Sequence, residues 1–284
     1  MTMRRNLGPI FALPLLLLLA VGFVVPLIYV AGLSFMPPRS FGLAGEPTLA
    51  NYREAALGGY LTPLLWSVLF ACATTALTLL IAWPTAQAIN RRPGRVTMIL
   101  TVLIAVPIFI SESVRLFGAA LFLMPRGGIL AGTMQSAFGL SVGSVLYTKT
   151  ATLIGLVYIH LPFTLFPMML GLSLVPRDQL DASEDLGANR WQQVREIELP
   201  LAMPGIVVGA LLTFVLALGA NSEASILGGQ SVVVIAKAIE QRFNYAQDWP
   251  LGSTLSVIVA IITIGLVLPA MNRLDIGKLM GRGR

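Results

Sequence analysis

Few side chains in this sequence could do chemistry, and their spacing limits what that chemistry is. There is one histidine, His160, and one cysteine, Cys72, in separate apolar runs. An enzyme embedded in a membrane needs a clustered nucleophile, base or set of metal ligands, and these two give it little support. Cys72 cannot form an intrachain disulfide. Four ionisable residues lie within or at the ends of apolar runs: Glu112, Arg115, His160 and Glu223. Each costs about 2.5–3.5 kcal/mol at membrane depth, so each is a candidate for a transport pathway. Glu112 and Arg115 are three apart, on one helical face where they can pair. His160 lies between Tyr158 and Pro162, and Glu223 follows Asn221 and Ser222. Glu112 and Glu223 offer acceptors to a cationic amine, and Tyr158 offers a cation–π face. Arg115 and His160 suit an anion equally well. The structural alternatives are a neutralised pair, a packing histidine and a solvated acid.

The stretch Asp178 to Pro200, "DQLDASEDLGANRWQQVREIELP", carries six of the chain's 13 acids between Asp178 and Glu198. It is too polar to cross a bilayer and too long for a tight turn. Asp178 is suited to cap a helix through Leu180, Ala182 and Leu186, which Gly187 then interrupts. A second helical stretch, Arg190 to Ile197, leads to Pro200, where proline suits the start of a new element. The small residues Ala182, Ser183 and Gly187 let another surface approach closely. Asp181, Glu184 and Asp185 offer acceptors to Arg or Lys. Exposed ion pairs contribute only about 0–1 kcal/mol each, so affinity at such a surface comes from shape and burial. A solvated loop is the alternative.

These residues must be positioned by apolar helices. Mean hydropathy is +0.82 over 284 residues, and six segments are each long enough to span about 30 Å of hydrocarbon. They run approximately over 7–33, 61–88, 98–122, 150–174, 203–220 and 251–270. The first follows Arg4 and Arg5 but is too long for a signal-peptide core, so a retained helix is expected. Pro14, Pro26, Pro84, Pro107, Pro162, Pro167 and Pro269 fall in or at the ends of these segments, consistent with bundle packing or with bent helices lining a cavity. Twelve basic residues fall on the side that holds the termini and the acidic stretch: Arg4, Arg5, Arg91, Arg92, Arg95, Arg177, Arg190, Arg195, Arg273, Lys278, Arg282 and Arg284. Six fall on the other: Arg39, Arg53, Arg126, Lys149, Lys237 and Arg242. Both termini and the stretch are therefore expected in the cytoplasm. The net charge of +6 reflects these loops, and no nucleic-acid partner is expected. With no repeat or linker evident, residues 1–284 read as one membrane domain.

The order Asp181-Ala182-Ser183, three residues, Gly187, nine residues, Ile197, one residue, Leu199-Pro200 resembles the EAA loop of binding-protein-dependent ABC importer permeases. Asp181 and Ser183 depart from the usual Glu and Ala. "SESVRLFGAALFL", "IGLVYIHLPFTLFPM" and "LGGQSVVVIAKAIEQRFNYAQDWPLGSTLS", with its Asp248-Trp249-Pro250 element, resemble the polyamine branch of that family. The resemblance implies an all-α integral membrane protein of six transmembrane helices with the type I, MetI-like permease fold. It also implies residence in the bacterial inner membrane. In the family the loop, here residues 176–200, docks on a cytoplasmic ATPase, which would give Asp181, Ala182, Ser183, Glu184, Gly187, Ile197, Leu199 and Pro200 a coupling role. The implied partners are two ATPase subunits, a second permease subunit, a periplasmic binding protein and membrane lipid. No phosphate-binding loop occurs: Gly277-Lys278 is followed by Leu279, and Asn272 stands where the first glycine belongs. No cofactor is expected on this chain, and ATP and Mg are expected on partner subunits. The segment from Gly228 to Pro250 is expected to meet the binding protein. Cargo other than a polyamine (an amino-acid derivative, a phosphonate or iron) stays open, as does an ion-coupled secondary transporter, although only His160 lies at the midplane.

Overall fold

A computed structural model describes residues 8–124, 128–139, 143, 145–229 and 231–272. Of the basic residues used above to orient the chain, Arg4, Arg5, Arg126, Arg273, Lys278, Arg282 and Arg284 lie outside the described residues, as does the Gly277-Lys278 pair. Every regular element among the described residues is helical. In chain order they are α1 (Leu13–Leu33), α2 (Ala50–Leu57), α3 (Leu61–Asn90), α4 (Gly94–Phe109), α5 (Glu112–Leu123), α6 (Ile129–Phe138) and α7 (Lys149–Ser173). They continue with α8 (Arg177–Asp185), α9 (Arg190–Leu218), α10 (Ser222–Ile226), α11 (Ile235–Asn244) and α12 (Trp249–Asn272).

Five helices are long and apolar enough to span a membrane: α1, α3, α7, α9 and α12. The third expected span is not one straight helix. It is the pair α4 and α5, bent by 98°, which makes six spans if the pair crosses as one. The break follows Pro107, whose neighbours tighten into a 3₁₀ turn over Val106–Phe109, and Ile110 is extended. Two spans contain π turns, Ala20–Val24 in α1 and Val194–Glu198 in α9. Each precedes a proline, Pro26 or Pro200. Proline lacks an N–H and clashes with the carbonyl four residues earlier, and in both cases that residue, Gly22 or Glu196, lies inside the widened turn.

The contacts group the chain into two compact units, one of residues 1–61 with 237–264, the other of 62–236 with 265–284. In the first unit Asn51 is buried and its amide donates to the carbonyls of Ser34 (3.1 Å) and Met36 (2.7 Å). Thr254 donates to the same Ser34 carbonyl at 3.1 Å. Asp248 accepts from the backbone N–H of Arg39 at 3.2 Å and of Leu251 at 3.4 Å, so it caps α12 and holds the loop after α1. Phe41 and Phe243 both meet Trp249 edge-on, at 5.9 and 6.0 Å between ring centres.

In the second unit the most extensive packing is between α7 and α9. Glycines make it possible: a Cβ on Gly171 would sit 2.8 Å from the Ala202 carbonyl oxygen, and one on Gly209 2.8 Å from that of Thr164. Backbones this close associate through packing and hydrogen bonds rather than hydrophobic burial, which lipid makes redundant. The fully buried Thr164 and Thr213 hydroxyls share a hydrogen bond of 2.5 Å across the interface. Ala82 and Ala86 of α3 pack with Leu165, Met168, Leu172 and Ala202 to close this core.

Candidate functional site

The acidic stretch forms two helical pieces joined by a sharp bend. α8 starts at Arg177, after an extended Pro176, and no side chain caps it. Asp178 is therefore not the cap expected of it. It lies in the first turn, where a negative charge still meets the positive end of the helix dipole. At the other end Gly187 has φ +80°, its N–H bonds the Glu184 carbonyl at 2.9 Å, and the Ala188 N–H bonds that of Ser183 at 2.9 Å. This is a Schellman ending, which requires the left-handed backbone that glycine adopts most readily. A Cβ at Gly187 would have nothing within 4 Å, so within the chain the reason for glycine is conformational. Asn189 then caps the next helix with a reciprocal pair: its side chain accepts from the Gln192 N–H at 3.0 Å, and its own N–H donates to the Gln192 side chain at 2.7 Å. The α-helical run that starts at Leu199 has Pro200 in its first turn, as expected, but it is not a separate element. The π turn accommodates the proline and α9 continues unbroken from Arg190 to Leu218.

Asp181, Ala182, Glu184, Asp185, Gly187 and Pro200 are exposed, while Ser183, Ile197 and Leu199 are half-buried. Two apolar side chains stand out from this polar surface, Leu186 at 89% exposure and Trp191 at 70%. They flank the bend, and their type and flanks were legible in the sequence as apolar residues inside a polar run. Exposed apolar groups framed by polar ones mark an interaction surface.

Two buried polar residues that sequence reasoning missed hold the bend in place. Gln193 is 3% exposed, and its amide donates to the Leu180 carbonyl (3.3 Å), the Ser183 hydroxyl (3.1 Å) and Glu184 (3.1 Å), all on α8. Its oxygen accepts from Arg190 at 3.1 Å. Glu198 is 5% exposed and pairs with Arg190 at 2.8 Å and Arg91 at 3.2 Å, and it also accepts from the Gln87 amide. A cavity of about 520 Å³ opens beside this joint, with Asn90, Arg177, Asp181 and Glu184 in its wall.

The pathway candidates gather where α5, α7 and α10 meet. His160 is 5% exposed and Glu223 1%, with Nδ1 of the one 3.8 Å from Oε1 of the other. The Leu156 carbonyl lies 2.8 Å from that same Nδ1, and because a carbonyl only accepts, the bond places a proton on Nδ1. Glu112 is exposed at the start of α5 and Tyr158 is 45% exposed on α7. Arg115 is half-buried, and its Nε and Nη1 have no hydrogen-bond partner. The expected Glu112–Arg115 pair does not form: among the described residues no ion pair joins them, because Glu112 stays at the surface while the guanidinium turns partly inward. Among the described residues no group of His, Cys, Asp and Glu could hold a metal ion.

A family described as the binding-protein-dependent transport system inner membrane component matches residues 78–274. The chain belongs to that family. It is the permease subunit of an ABC importer, an inner-membrane component whose ATPase is carried on other subunits. The permease is 31% identical over 221 residues to the spermidine/putrescine transport system permease protein PotB of Escherichia coli K12, covering 78% of this chain and 80% of that one. The PotB protein of Haemophilus influenzae is 29% identical over 247 residues, 86% of each. A putative 2-aminoethylphosphonate transport system permease protein, PhnU, of Salmonella choleraesuis is 23% identical over 263 residues, 86% of this chain and 88% of that one. Among solved structures, a bacterial ABC transporter involved in import of the acidic polysaccharide alginate aligns over 96% of this permease and 97% of its own chain, with TM-score 0.74 at 18% identity. The MetNI methionine ABC transporter aligns over 78% and 96%, with TM-score 0.56 at 19% identity. At these identities the likeness establishes the fold, a type I permease.

Proposed function

We propose that this permease passes a small cationic amine of the polyamine class into the cytoplasm. The observation that carries the reading is its 31% identity to the spermidine/putrescine permease over 78% of the chain. In the complete importer a second permease subunit closes the pathway, two ATPase subunits bind ATP and Mg, and a periplasmic binding protein delivers the cargo. Both termini face the cytoplasm, and lipid covers the exposed apolar sides of the spans. The loop from Asp181 to Pro200 docks on an ATPase. Leu186 and Trp191 support this assignment, since two exposed apolar side chains beside Ala182, Ser183 and Gly187 provide the burial that ion pairs alone do not.

Exposure sorts the pathway candidates. Glu112 and Tyr158 are open on the single chain, so they are able to face a cavity completed by a second subunit, one as acceptor and the other as cation–π face. His160 and Glu223 are enclosed by their own chain and act on the pathway from behind, through the field at Arg115 and Glu112. Uptake of labelled putrescine or spermidine by the reconstituted complex tests the cargo, with Glu112→Gln expected to reduce transport while leaving assembly intact. No uptake beside robust uptake of an anionic solute rejects the cargo and keeps the permease.

One observation favours a second reading. Arg115 has two donors without partners, which suits the anionic end of a substrate, one that also carries an amine for Glu112. The relative described for 2-aminoethylphosphonate is of that kind. Competition between putrescine and an aminophosphonate in the same uptake assay separates the two.

A further inference from the structure

Glu198 occupies the unspecified position between Ile197 and Leu199 of the loop pattern, yet it is among the most buried charged side chains in the second unit. Its partners come from two places. Gln87 and Arg91 are one turn apart near the end of α3, and Arg190 is the first residue of α9. Arg190 uses its other terminal nitrogen on Gln193, whose amide holds three acceptors on α8. The result is an unbroken polar path: α8 to Gln193, Gln193 to Arg190, Arg190 to Glu198, and Glu198 to Gln87 on α3 and to Arg91 just beyond its end. Burying this carboxylate brings no necessary stability, because well-packed apolar replacements of buried ion pairs are often neutral or stabilising. What a carboxylate adds over a leucine is direction: it fixes the distance and register of the groups it joins.

We propose that Glu198 is a positioning residue that fastens the loop to α3, so that displacement of the loop reaches the second span as well as α9. The proposal rests on the reading of residues 176–200 as the ATPase-docking loop. Glu198 acts by holding α8 and α3 as one body through a path whose every step is a hydrogen bond or ion pair between named groups.

The test uses the reconstituted importer with binding protein, and compares Glu198→Leu and Arg91→Gln with the unaltered permease. Glu198→Leu keeps an apolar side chain in the buried position and cuts the path at its centre. Arg91→Gln leaves Glu198 paired with Arg190 and bonded to Gln87, and removes only its ion pair at the end of α3. Two quantities are read: cargo transported per ATP hydrolysed, and the distance distribution between spin labels at Arg92→Cys and Asp185→Cys in a Cys72→Ser background. The expected result is that the ATPase still co-purifies with both variants. Transport per ATP falls by about 2- to 30-fold, the span that typical coupling perturbations cover, and the distance distribution broadens. An unchanged ratio with a narrow distribution in Glu198→Leu overturns the proposal. If that variant does not insert, Gln87→Leu combined with Arg91→Gln, which removes both of Glu198's ties toward α3 and keeps its pair with Arg190, decides by the same readouts. If the unaltered permease retains no ATPase, the docking-loop reading fails, and the spin-label distances alone still decide whether Glu198 binds the loop to α3.

Discussion

Replacing Gly187 separates what the bend requires of the backbone from what a partner requires of the surface. The residue sits at φ +80° with nothing within 4 Å of a Cβ built on it. Any L-residue there pays the left-handed penalty, about 1–2 kcal/mol, which is roughly a 5- to 30-fold loss in occupancy of the bent state. Asparagine tolerates this region better, so Gly187→Asn is expected to cost least. With open space around the position, Gly187→Trp costs the isolated permease about what Gly187→Ala does. Both weaken the same two closing bonds, Gly187 to Glu184 and Ala188 to Ser183. Thermal unfolding of the permease in detergent is expected to rank the glycine parent first, then asparagine, with alanine and tryptophan close together. ATPase affinity, measured on permease in nanodiscs, is expected to separate these last two. If a partner surface covers Gly187, tryptophan weakens binding beyond alanine by about fivefold or more, since overpacking costs about 1–3 kcal/mol. Equal ATPase affinity for the alanine and tryptophan variants would refute the claim that this bend lies against a partner.

Three further outcomes follow from the packing. Gly205→Ala is expected to lower thermal stability by about 1–3 kcal/mol, because its Cβ falls on the Pro167 carbonyl and 2.9 Å from the Gly171 backbone; Gly265→Ala, in α12 with nothing within 4 Å, is expected to be neutral or to stabilise by about 0.5–1 kcal/mol. Thr164→Val strands the buried Thr213 hydroxyl and is expected to cost about 1–3 kcal/mol, while adding Thr213→Val costs less than the sum of the single changes, as a double-mutant cycle in detergent will show. A cysteine at Gln247, in the exposed turn before α12, is expected to cross-link to the binding protein; links from other outer loops alongside none from this position would count against that contact.

The spans were legible because hydropathy and length identify them, and each described span overlaps its expected segment within a few residues or extends it. The break between Phe109 and Glu112 was not, since an apolar run records composition but not direction; Pro107 was the available signal. The loop's glycine was read from spacing as an interruption that also lets another surface approach, and the backbone adds that its left-handed φ demands glycine whatever lies opposite. Asp178 looked like a cap because caps are read from residue type. Pro176 sets the start of α8 two residues earlier than that reading allows. The Asn189–Gln192 box was present in the sequence and went unread beside the stronger Asp178 signal. Glu198 could not be singled out at all. Its burial depends on Gln87 and Arg91, more than 100 residues away, and no local pattern encodes that meeting.

The continuity of α9 has a mechanical consequence. Its 29 residues make a rod about 44 Å long, well beyond the roughly 30 Å of hydrocarbon. Glu198 grips this rod off-centre, 8 residues from Arg190 and 20 from Leu218, arms of about 12 and 30 Å. The long arm is packed against α7, backbone to backbone at Gly205 and Gly209 and through the Thr213 hydroxyl, while the short arm, with its π turn, follows the bend and carries the exposed Trp191. Leu218 lies four residues before Ser222, where the helix carrying Glu223 begins. The exposed bend and the buried His160–Glu223 pair thus lie toward opposite ends of one continuous helix, so any shift of α9 as a whole is shared by both.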